Sequence, residues 1–301
     1  MEKFTKALFL FMGIGILLGE IVVRIFCLNV DVPKAYLAKD NLIKFYPNQT
    51  GNYLHSSHKW IINKYGNFGY ETKSLDSLVT VIGDSYIENM MNPPECHQAK
   101  YLAELLPRYN YYSSARAGAS FVEMMERAKS LESMNPLYQL LYVHQGDFTE
   151  SISEIKKNPL TIQYSLKSNE ISYAKLQSSK FKEVLYNCKF FYYIYRNFIV
   201  KTNHVSSNNR DQNNKEKIDY DLIEKLVLLV KHKYKTHNVI LVFSPDTDLK
   251  VVEIAKRNGF RYFLLKTDNY KSWQLLNDSH WSCFGHEQAA LNVSSELIKM
   301  N

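Results

Sequence analysis

The chain has 301 residues, 46% of them hydrophobic and 22% charged, which is ordinary globular composition and excludes a wholly disordered or fibrous protein. The net charge is +7, but residues 180–235 alone hold 12 basic and 6 acidic groups, so the excess is local. A nucleic-acid-binding protein more often spreads a basic face over its fold, and we expect no nucleic-acid partner.

Residues 1–30 predict a membrane segment. Lys3 and Lys6 precede a long uncharged run, and further apolar residues follow Glu20 and Arg24. As a helix, this segment is just long enough to cross a bilayer. The leading lysines favour a cytoplasmic N-terminus, with the rest of the chain periplasmic or extracellular. We predict a single N-terminal anchor; a cleaved signal peptide and a buried core helix are the alternatives.

Residues 31–75 predict an irregular connecting segment, because prolines and glycines alternate there with aromatic and polar residues. A domain over 76–301 follows, with an insertion at about 151–217. Its predicted strands are Leu78–Ile82, Tyr109–Ser113, Leu137–Val143, Val239–Phe243 and Phe260–Leu265. Its predicted helices are 97–106, 120–133, 220–235, 247–258 and, at the end of the chain, 287–300. Apolar strands that alternate with helices predict an α/β fold, with a parallel sheet covered on both faces.

The insertion combines an aromatic helical stretch, 184–200, with a polar run, 202–217, that we expect to be a surface loop. The aromatic stretch is typical of a helix packed on a core. Two functional interpretations stay open: a wall on which sugars stack, and a surface that rests at the bilayer interface. Neighbouring lysines, Lys180, Lys182, Lys189 and Lys201, would suit anionic headgroups or an acidic glycan, or form a solvated face.

The first chemical feature is Gly83-Asp84-Ser85, at the end of the first predicted strand. The carboxyl ends of parallel strands form the ligand crevice of an open α/β sheet. A serine on such a turn can expose its hydroxyl, although many Asp-Ser pairs only cap helices.

The second feature is Asp278-Ser279-His280, in a loop before the last helix. A serine hydroxyl is a poor nucleophile until an imidazole takes its proton. A carboxylate can orient that imidazole and stabilise its charged form. Ser85, His280 and Asp278 are therefore candidates for a catalytic triad.

These segments, in this order, resemble the SGNH (GDSL-type) hydrolase family over roughly residues 76–300. Ser85 matches the family's nucleophile, and Asp278 and His280 match its last block. Gly118, after the second strand, matches the glycine whose N–H joins that of Ser85 in the oxyanion hole. The resemblance implies a three-layer α/β/α sandwich with a flavodoxin-like parallel sheet; the N-terminal transmembrane helix predicted above adds to it. The Asp-x-His-Trp form of the last block is similar to that of membrane-anchored bacterial SGNH proteins of envelope or polysaccharide acylation.

Two departures from the family pattern stand out. The third block normally carries an asparagine that donates to the oxyanion, and Gly146 stands at that position. Loss of one oxyanion donor typically lowers the rate about 100- to 1,000-fold. Gln145 and Asn89 are candidate substitutes. His144, at the end of a central strand, could contact substrate or replace the asparagine, but a structural role suits it better. The acid also lies two residues before His280, where three is commoner in the family.

Other polar residues have competing interpretations. Asp278, His280, Cys283 and His286 could be a metal cluster, but the triad explains them better and we predict no metal. We expect Asp84 and Asp147 to organise loops through backbone N–H groups, and not to transfer protons.

The four cysteines, Cys27, Cys96, Cys188 and Cys283, have no CxxC spacing, which argues against a zinc site or a disulfide framework. A single bridge, such as Cys96 to Cys188, would require an oxidising compartment.

These observations predict a serine esterase, deacetylase or O-acyltransferase that works through an acyl-serine intermediate and needs no cofactor. The expected substrate is a small acyl ester or an O-acylated extracytoplasmic glycan. The alternative is a weakened SGNH domain that binds a glycan or a partner at the membrane, which the glycine at 146 favours. A nucleotide-binding or receiver domain is disfavoured, because the chain has no Gly-rich phosphate loop.

Overall fold

The computed structural model describes residues 2–176, 185–200, 218–276 and 278–300, apart from the side chains of 56 and 198–200. The strands in these ranges are β1 (Ala35–Leu37), β2 (Ile43–Phe45), β3 (Gln49–Asn52), β4 (Lys59–Ile62), β5 (Leu78–Gly83), β6 (Asn110–Ala115), β7 (Tyr138–Val143), β8 (Gln163–Ser165), β9 (Glu170–Ser172), β10 (Val239–Phe243), β11 (Arg261–Leu264), β12 (Gln274–Leu275) and β13 (Asp278–Trp281). The α-helices are α1 (Glu2–Ile25), α2 (Ser85–Glu88), α3 (Gln98–Leu105), α4 (Phe121–Ser130), α5 (Gln145–Glu150), α6 (Lys189–Ile194), α7 (Tyr220–Lys233), α8 (Leu249–Arg257) and α9 (Cys283–Lys299).

A five-stranded sheet, in the order β11-β10-β7-β5-β6, forms the centre of the α/β domain. Every neighbouring pair is parallel. Counted along the chain, the order is 2-1-3-4-5, the flavodoxin-like doubly wound arrangement. The predicted α/β sandwich with a parallel sheet is therefore confirmed.

Strands β5 and β10 are buried along their whole length because helices cover both faces of the sheet. Alternate residues serve opposite faces: Leu78 and Ile82 pack in one core, while Val79 and Val81 pack in the other. Helices α4, α7 and α8 contribute to the first core, and α3 and α9 to the second. All five predicted core strands are present, each within two residues of its predicted ends.

Two predictions differ from the structure in detail. The last helix begins at Cys283, four residues before the predicted start, because the Ser282 hydroxyl caps it by accepting from the Gly285 N–H at 3.3 Å. The segment 31–75, predicted to be irregular, forms the short strands β1 to β4. These strands are only three or four residues long, so they carry little periodic signal.

The chain divides into two compact units. Unit 1 comprises Met1–Pro33, Thr50–Lys59 and Gln177–Lys217, and its main elements are α1 and α6. Unit 2 comprises Lys34–Gln49, Trp60–Leu176 and Ile218–Asn301, and it contains the five-stranded sheet.

Helix α1 has 24 residues and a mean hydropathy of 2.2 over its most apolar window, of which 6% is buried. Length and composition therefore suit a membrane span, and the exposure of the helix argues against the buried core helix considered above. An anchor and a signal sequence share these properties.

A disulfide joins Cys96 to Cys283, whose Cα atoms are 4.9 Å apart. The suggested Cys96–Cys188 pairing is wrong, because Cys188, at the start of α6, is a free cysteine. Cys27 is free as well. The bridge connects the segment after α2 to the first residue of α9.

Part of the insertion lies outside the described residues: the polar run 202–217, residue 184, and Lys180, Lys182 and Lys201. Before that part, residues 163–172 form the antiparallel hairpin β8–β9.

Candidate active site

Ser85 is the first residue of α2, directly after the end of β5. A Cβ at Gly83 would lie 2.5 Å from Cγ1 of Ile87, so only glycine lets the helix turn back so closely on the strand. The Asp84 carboxylate caps α2 by accepting from the Tyr86 N–H at 2.9 Å, as expected for a loop-organising residue. The turn therefore holds Ser85 at the carboxyl end of the central strand.

His280 and Asp278 lie on strand β13, which pairs antiparallel with β12. Residues at i and i+2 of a strand project from the same face, so the Asp-x-His spacing brings the carboxylate to the imidazole. Nδ1 of His280 lies 2.5 Å from Oδ1 of Asp278, and Nε2 lies 2.8 Å from Oγ of Ser85. The structure therefore brings the three predicted residues into one hydrogen-bonded chain.

The electrostatics of this chain suit proton transfer. Burial opposes ionisation of Asp278, but hydrogen bonds from the ring and backbone of His280 outweigh it and hold the pKa of this carboxyl below its usual value. The carboxylate thus accepts the Nδ1 proton of a neutral His280. Nε2 is then left to accept a proton from the Ser85 hydroxyl.

Three contacts fasten the segment after Ser85 to the segment around His280. The Tyr86 hydroxyl donates to the Ser279 carbonyl at 3.0 Å, and the Asn92 amide donates to the Trp281 carbonyl at 2.7 Å. The disulfide described above is the third. These contacts hold together two segments that are almost two hundred positions apart in the chain.

The predicted second block, around Gly118, follows β6 at the same edge of the sheet. Gly118 has φ +72°, a left-handed conformation that favours glycine. The neighbouring Ala117 N–H donates to Oε2 of Glu88 at 2.7 Å. Burial raises the pKa of Glu88 to about 7. Glu88 therefore connects α2 to the loop that presents Gly118.

The predicted third block forms the cap of helix α5. The Gly146 N–H donates to Nδ1 of His144 at 3.2 Å, and the Asp147 carboxylate accepts from the His144 N–H at 2.7 Å. A Cβ at Gly146 would meet only His144 Nδ1, at 3.4 Å, within a radius of 4 Å. The imidazole of His144 thus stands beside the place from which an asparagine side chain would project.

Both suggested substitutes for that asparagine make hydrogen bonds to other parts of the chain. Asn89 is completely buried, and its amide donates to the Cys96 carbonyl at 3.1 Å. The Gln145 side-chain oxygen accepts from the Asp248 N–H at 3.0 Å, which holds this side chain against the start of α8. Asn89 is therefore a structural residue.

An open cleft of about 310 Å³ lies at the carboxyl ends of the strands, beside the serine. It is lined by Asp84, Tyr86, Tyr142, Val143, His144, Asp147, Val242, Ser244 and Trp281. Burial raises the pKa of Asp147 well above its usual value, and the charge of Asp84 adds to this effect; burial also raises the pKa of Asp84. Burial and mutual repulsion therefore favour the protonated form of this pair of carboxyl groups.

His144 reaches this cleft half-exposed, with Nε2 3.6 Å from Oδ2 of Asp246. Burial opposes ionisation of Asp246, but the nearby His144 ring and the Ser244 hydroxyl, which donates to Oδ1 at 2.6 Å, hold the pKa of this carboxyl below its usual value. Because Nδ1 accepts from Gly146, the neutral ring carries its proton on Nε2.

The metal interpretation of the last block loses its thiolate, because Cys283 is disulfide-bonded. His286 is completely buried inside α9, and burial lowers its pKa to about 3. Within the described ranges, no group of three or more His, Cys, Asp or Glu side chains could hold a metal ion.

Sequence reasoning missed Glu88, Asn92 and Asp246. Each acts through residues distant in the chain, and none belongs to a recognisable motif. The pairing of Cys96 with Cys283 had one available signal: Cys283 follows His280 by only three residues, so a bridge there would brace the site.

No family model and no curated protein matches the chain. Among solved structures, a crystal structure of TesA matches 74% of this chain and 99% of its own, with a TM-score of 0.41 and 8% identity. A protein described as a lipolytic protein of the G-D-S-L family, from Desulfitobacterium hafniense, gives a TM-score of 0.36 and 11% identity, over 73% and 99% of the two chains. A protein described as an SGNH hydrolase from Slackia heliotrinireducens gives 0.35 and 13%, over 73% and 98%.

These scores are low, and the assignment of the fold depends on the molecule itself. The sheet has the flavodoxin-like order, and Ser85, Gly118 and His280 follow the strands in the sequence expected of the resemblance. The strand order and the placement of these residues are those that the resemblance to the SGNH family predicts.

Proposed function

We propose that the chain is a membrane-anchored, extracytoplasmic serine hydrolase or acyltransferase of the SGNH type. The observation that carries the proposal is the hydrogen-bonded chain from Ser85 through His280 to Asp278, at the carboxyl end of the central strand. A nucleophile, a base within reach of it and a group that orients the base are the elements of acyl transfer.

In the proposed mechanism, the Ser85 oxygen attacks an ester carbonyl while His280 takes its proton. The oxyanion binds the backbone N–H groups of Ser85 and Gly118. His280 then gives the proton to the leaving alcohol, and an acyl-Ser85 intermediate forms. Water or a sugar hydroxyl attacks this ester, with His280 again as the base, and regenerates the serine.

We assign the third oxyanion donor to His144. His144 lines the cleft, and the distance of 3.6 Å from its Nε2 to Oδ2 of Asp246 leaves the Nε2 hydrogen without a short acceptor there. The ring stands beside Gly146, where the family pattern has the donor asparagine.

Two features support an extracytoplasmic location. Disulfides such as Cys96–Cys283 persist in oxidising compartments. Lys3 and Lys6 in front of α1 favour a cytoplasmic N-terminus, so that the domain lies on the other side. An O-acylated polysaccharide of the cell envelope would be accessible there.

The test is hydrolysis of p-nitrophenyl acetate by the full chain in detergent. We expect Ser85→Ala to lose at least about 10⁴-fold in rate, since removal of a catalytic serine abolishes acylation. Ser279→Ala is the matched control, because its backbone carbonyl and not its hydroxyl contacts Tyr86. Equal rates for wild type and Ser85→Ala would favour the second candidate, a glycan- or partner-binding module. The feature that supports this candidate is the glycine at position 146, where the family pattern has an asparagine.

A further inference from the structure

The charged residues of α1 bind the polypeptide at the start of α6, within unit 1. Glu20 accepts from the Lys189 N–H at 3.1 Å and from the Phe190 N–H at 2.7 Å. Arg24 pairs with Glu20 and donates to the Asn187 carbonyl at 2.8 Å. The two charges that interrupt the apolar run therefore satisfy backbone groups of the insertion.

Packing and further polar contacts strengthen this attachment. A Cβ at Gly19 would lie 2.6 Å from the ring of Phe190, so α6 approaches α1 as closely as a glycine allows. The Asn29 amide donates to the Lys189 carbonyl at 2.8 Å, and the Lys189 ammonium pairs with Asp31. Phe190 thus lies on the last third of α1, with polar bonds on both sides of it.

Aromatic side chains then project from the docked segment. Phe191 is 43% exposed, and the other rings are partly exposed; these are Tyr186, Phe190, Tyr192, Tyr193 and Tyr195. Aromatic residues of this kind are enriched where a membrane meets water. The surface of α1 beside them is apolar and exposed.

We propose that residues 185–197 form a second membrane contact, which rests in the lipid headgroup region beside the outer end of α1. Gly19 lies six residues before the end of α1, or about 9 Å along the helix axis. With Lys3 and Lys6 at the inner surface, Gly19 is about 20–24 Å along the axis, in the outer half of a hydrocarbon core of about 30 Å and roughly 6–10 Å below its outer boundary. Helix starts leave backbone N–H groups unsatisfied, which is unfavourable where water is scarce, and Glu20 supplies the acceptors.

The proposal has a consequence for processing. Cleavage after α1 would remove Gly19, Glu20 and Arg24, which are the residues of α1 that contact the start of α6. We therefore expect α1 to stay in the mature protein as an anchor. This inference rests on the membrane placement of the proposed function and is independent of its chemistry.

The experiment uses the full chain in phosphatidylcholine–phosphatidylglycerol vesicles that contain brominated lipid, which quenches tryptophan on contact. A tryptophan is added as Phe191→Trp or, for comparison, as Leu249→Trp, an exposed apolar position on α8. The native Trp60, Trp273 and Trp281 are buried, and their emission is subtracted. We expect loss of the emission added at position 191 and retention of that at 249.

Glu20→Ala in the Phe191→Trp background should reduce this quenching, whereas Glu2→Ala, which removes only an exposed pair with Lys6, should leave it unchanged. Equal quenching at 191 and 249 would overturn the proposal. A mature chain that begins after Gly19 by mass spectrometry would overturn it too, as would burial of the segment against a second copy or another protein. None of these readouts depends on esterase activity.

Discussion

The two sides of the site around Ser85 are assembled differently. On the base side, short hydrogen bonds connect Ser85, His280 and Asp278, and a disulfide braces the two segments. On the oxyanion side, Gly118 takes a left-handed conformation, and Gly146 offers no side chain. In the proposed mechanism, proton transfer therefore depends on residues of the family motifs alone, whereas oxyanion stabilisation also depends on His144, which belongs to none of them.

The largest expected effect is on the base side. Asp278→Asn should lower kcat by about 10³- to 10⁴-fold, because an amide favours the wrong tautomer of His280. Asp246→Asn, at the other histidine of the cleft, is the comparison and should lose much less. The measurement is ester hydrolysis at saturating substrate. A loss below tenfold for Asp278→Asn would contradict the assignment of the orienting acid.

The next effect probes the oxyanion side. His144→Ala should lower kcat about 100-fold with little change in KM, as for loss of one oxyanion donor. Gly146→Asn in the His144→Ala background should recover part of the rate, because it restores a donor from the position of the glycine. His144→Ala at the wild-type rate would exclude a donor role, and absence of rescue would point to a structural role.

The disulfide prediction tests the brace on the base side. Removal of the bridge by Cys96→Ser with Cys283→Ser should lower the free energy of unfolding by about 2–5 kcal/mol. We expect a smaller effect on the rate, within about tenfold, because the contacts of Tyr86 and Asn92 remain. Denaturant unfolding and ester hydrolysis measure the two effects.

The matched control for the bridge is Cys27→Ser with Cys188→Ser, which changes the free cysteines. Equal stability of the two double variants would show that the bridge contributes nothing.

The last prediction concerns the pH dependence of stability through Glu88, on the oxyanion side. Burial raises its pKa to about 7 in the folded state, above the ordinary 4.5. The contribution of Glu88 to the free energy of unfolding is therefore fully present below about pH 4.5, and it is lost as the pH rises through 7. As the pH rises from about 4.5 to above 7, the free energy of unfolding of the wild type should fall by about 3 kcal/mol relative to that of Glu88→Gln.

Chemical denaturation at a series of pH values measures this divergence. Glu104→Gln, an exposed carboxylate paired with Lys100, is the control. Parallel stability curves for wild type and Glu88→Gln would contradict the role given to burial.

Much of the fold and of the base side could be predicted from the sequence. The core strands are continuous apolar runs, so their positions follow from local composition. Ser85 and His280 follow from motifs whose order along the chain matches their place in the sheet. The Asp278 contact follows once β13 is known to be a strand, since i and i+2 share a face.

The remainder depends on long-range packing, which leaves no periodic signal. The short strands β1 to β4 carry too few residues to show alternation. Asn89 looked like a free amide in the sequence but is buried by the turn after α2. The contact of Glu20 with α6 joins residues 169 positions apart, and nothing local to either segment indicates it.

The most direct test of the central claim is reaction with a fluorophosphonate probe, followed by peptide mass spectrometry of the adduct. The account predicts one stoichiometric adduct on Ser85, with a rate that falls sharply in His280→Ala. An adduct elsewhere, or a wild-type rate no faster than that of Ser85→Ala, would contradict it.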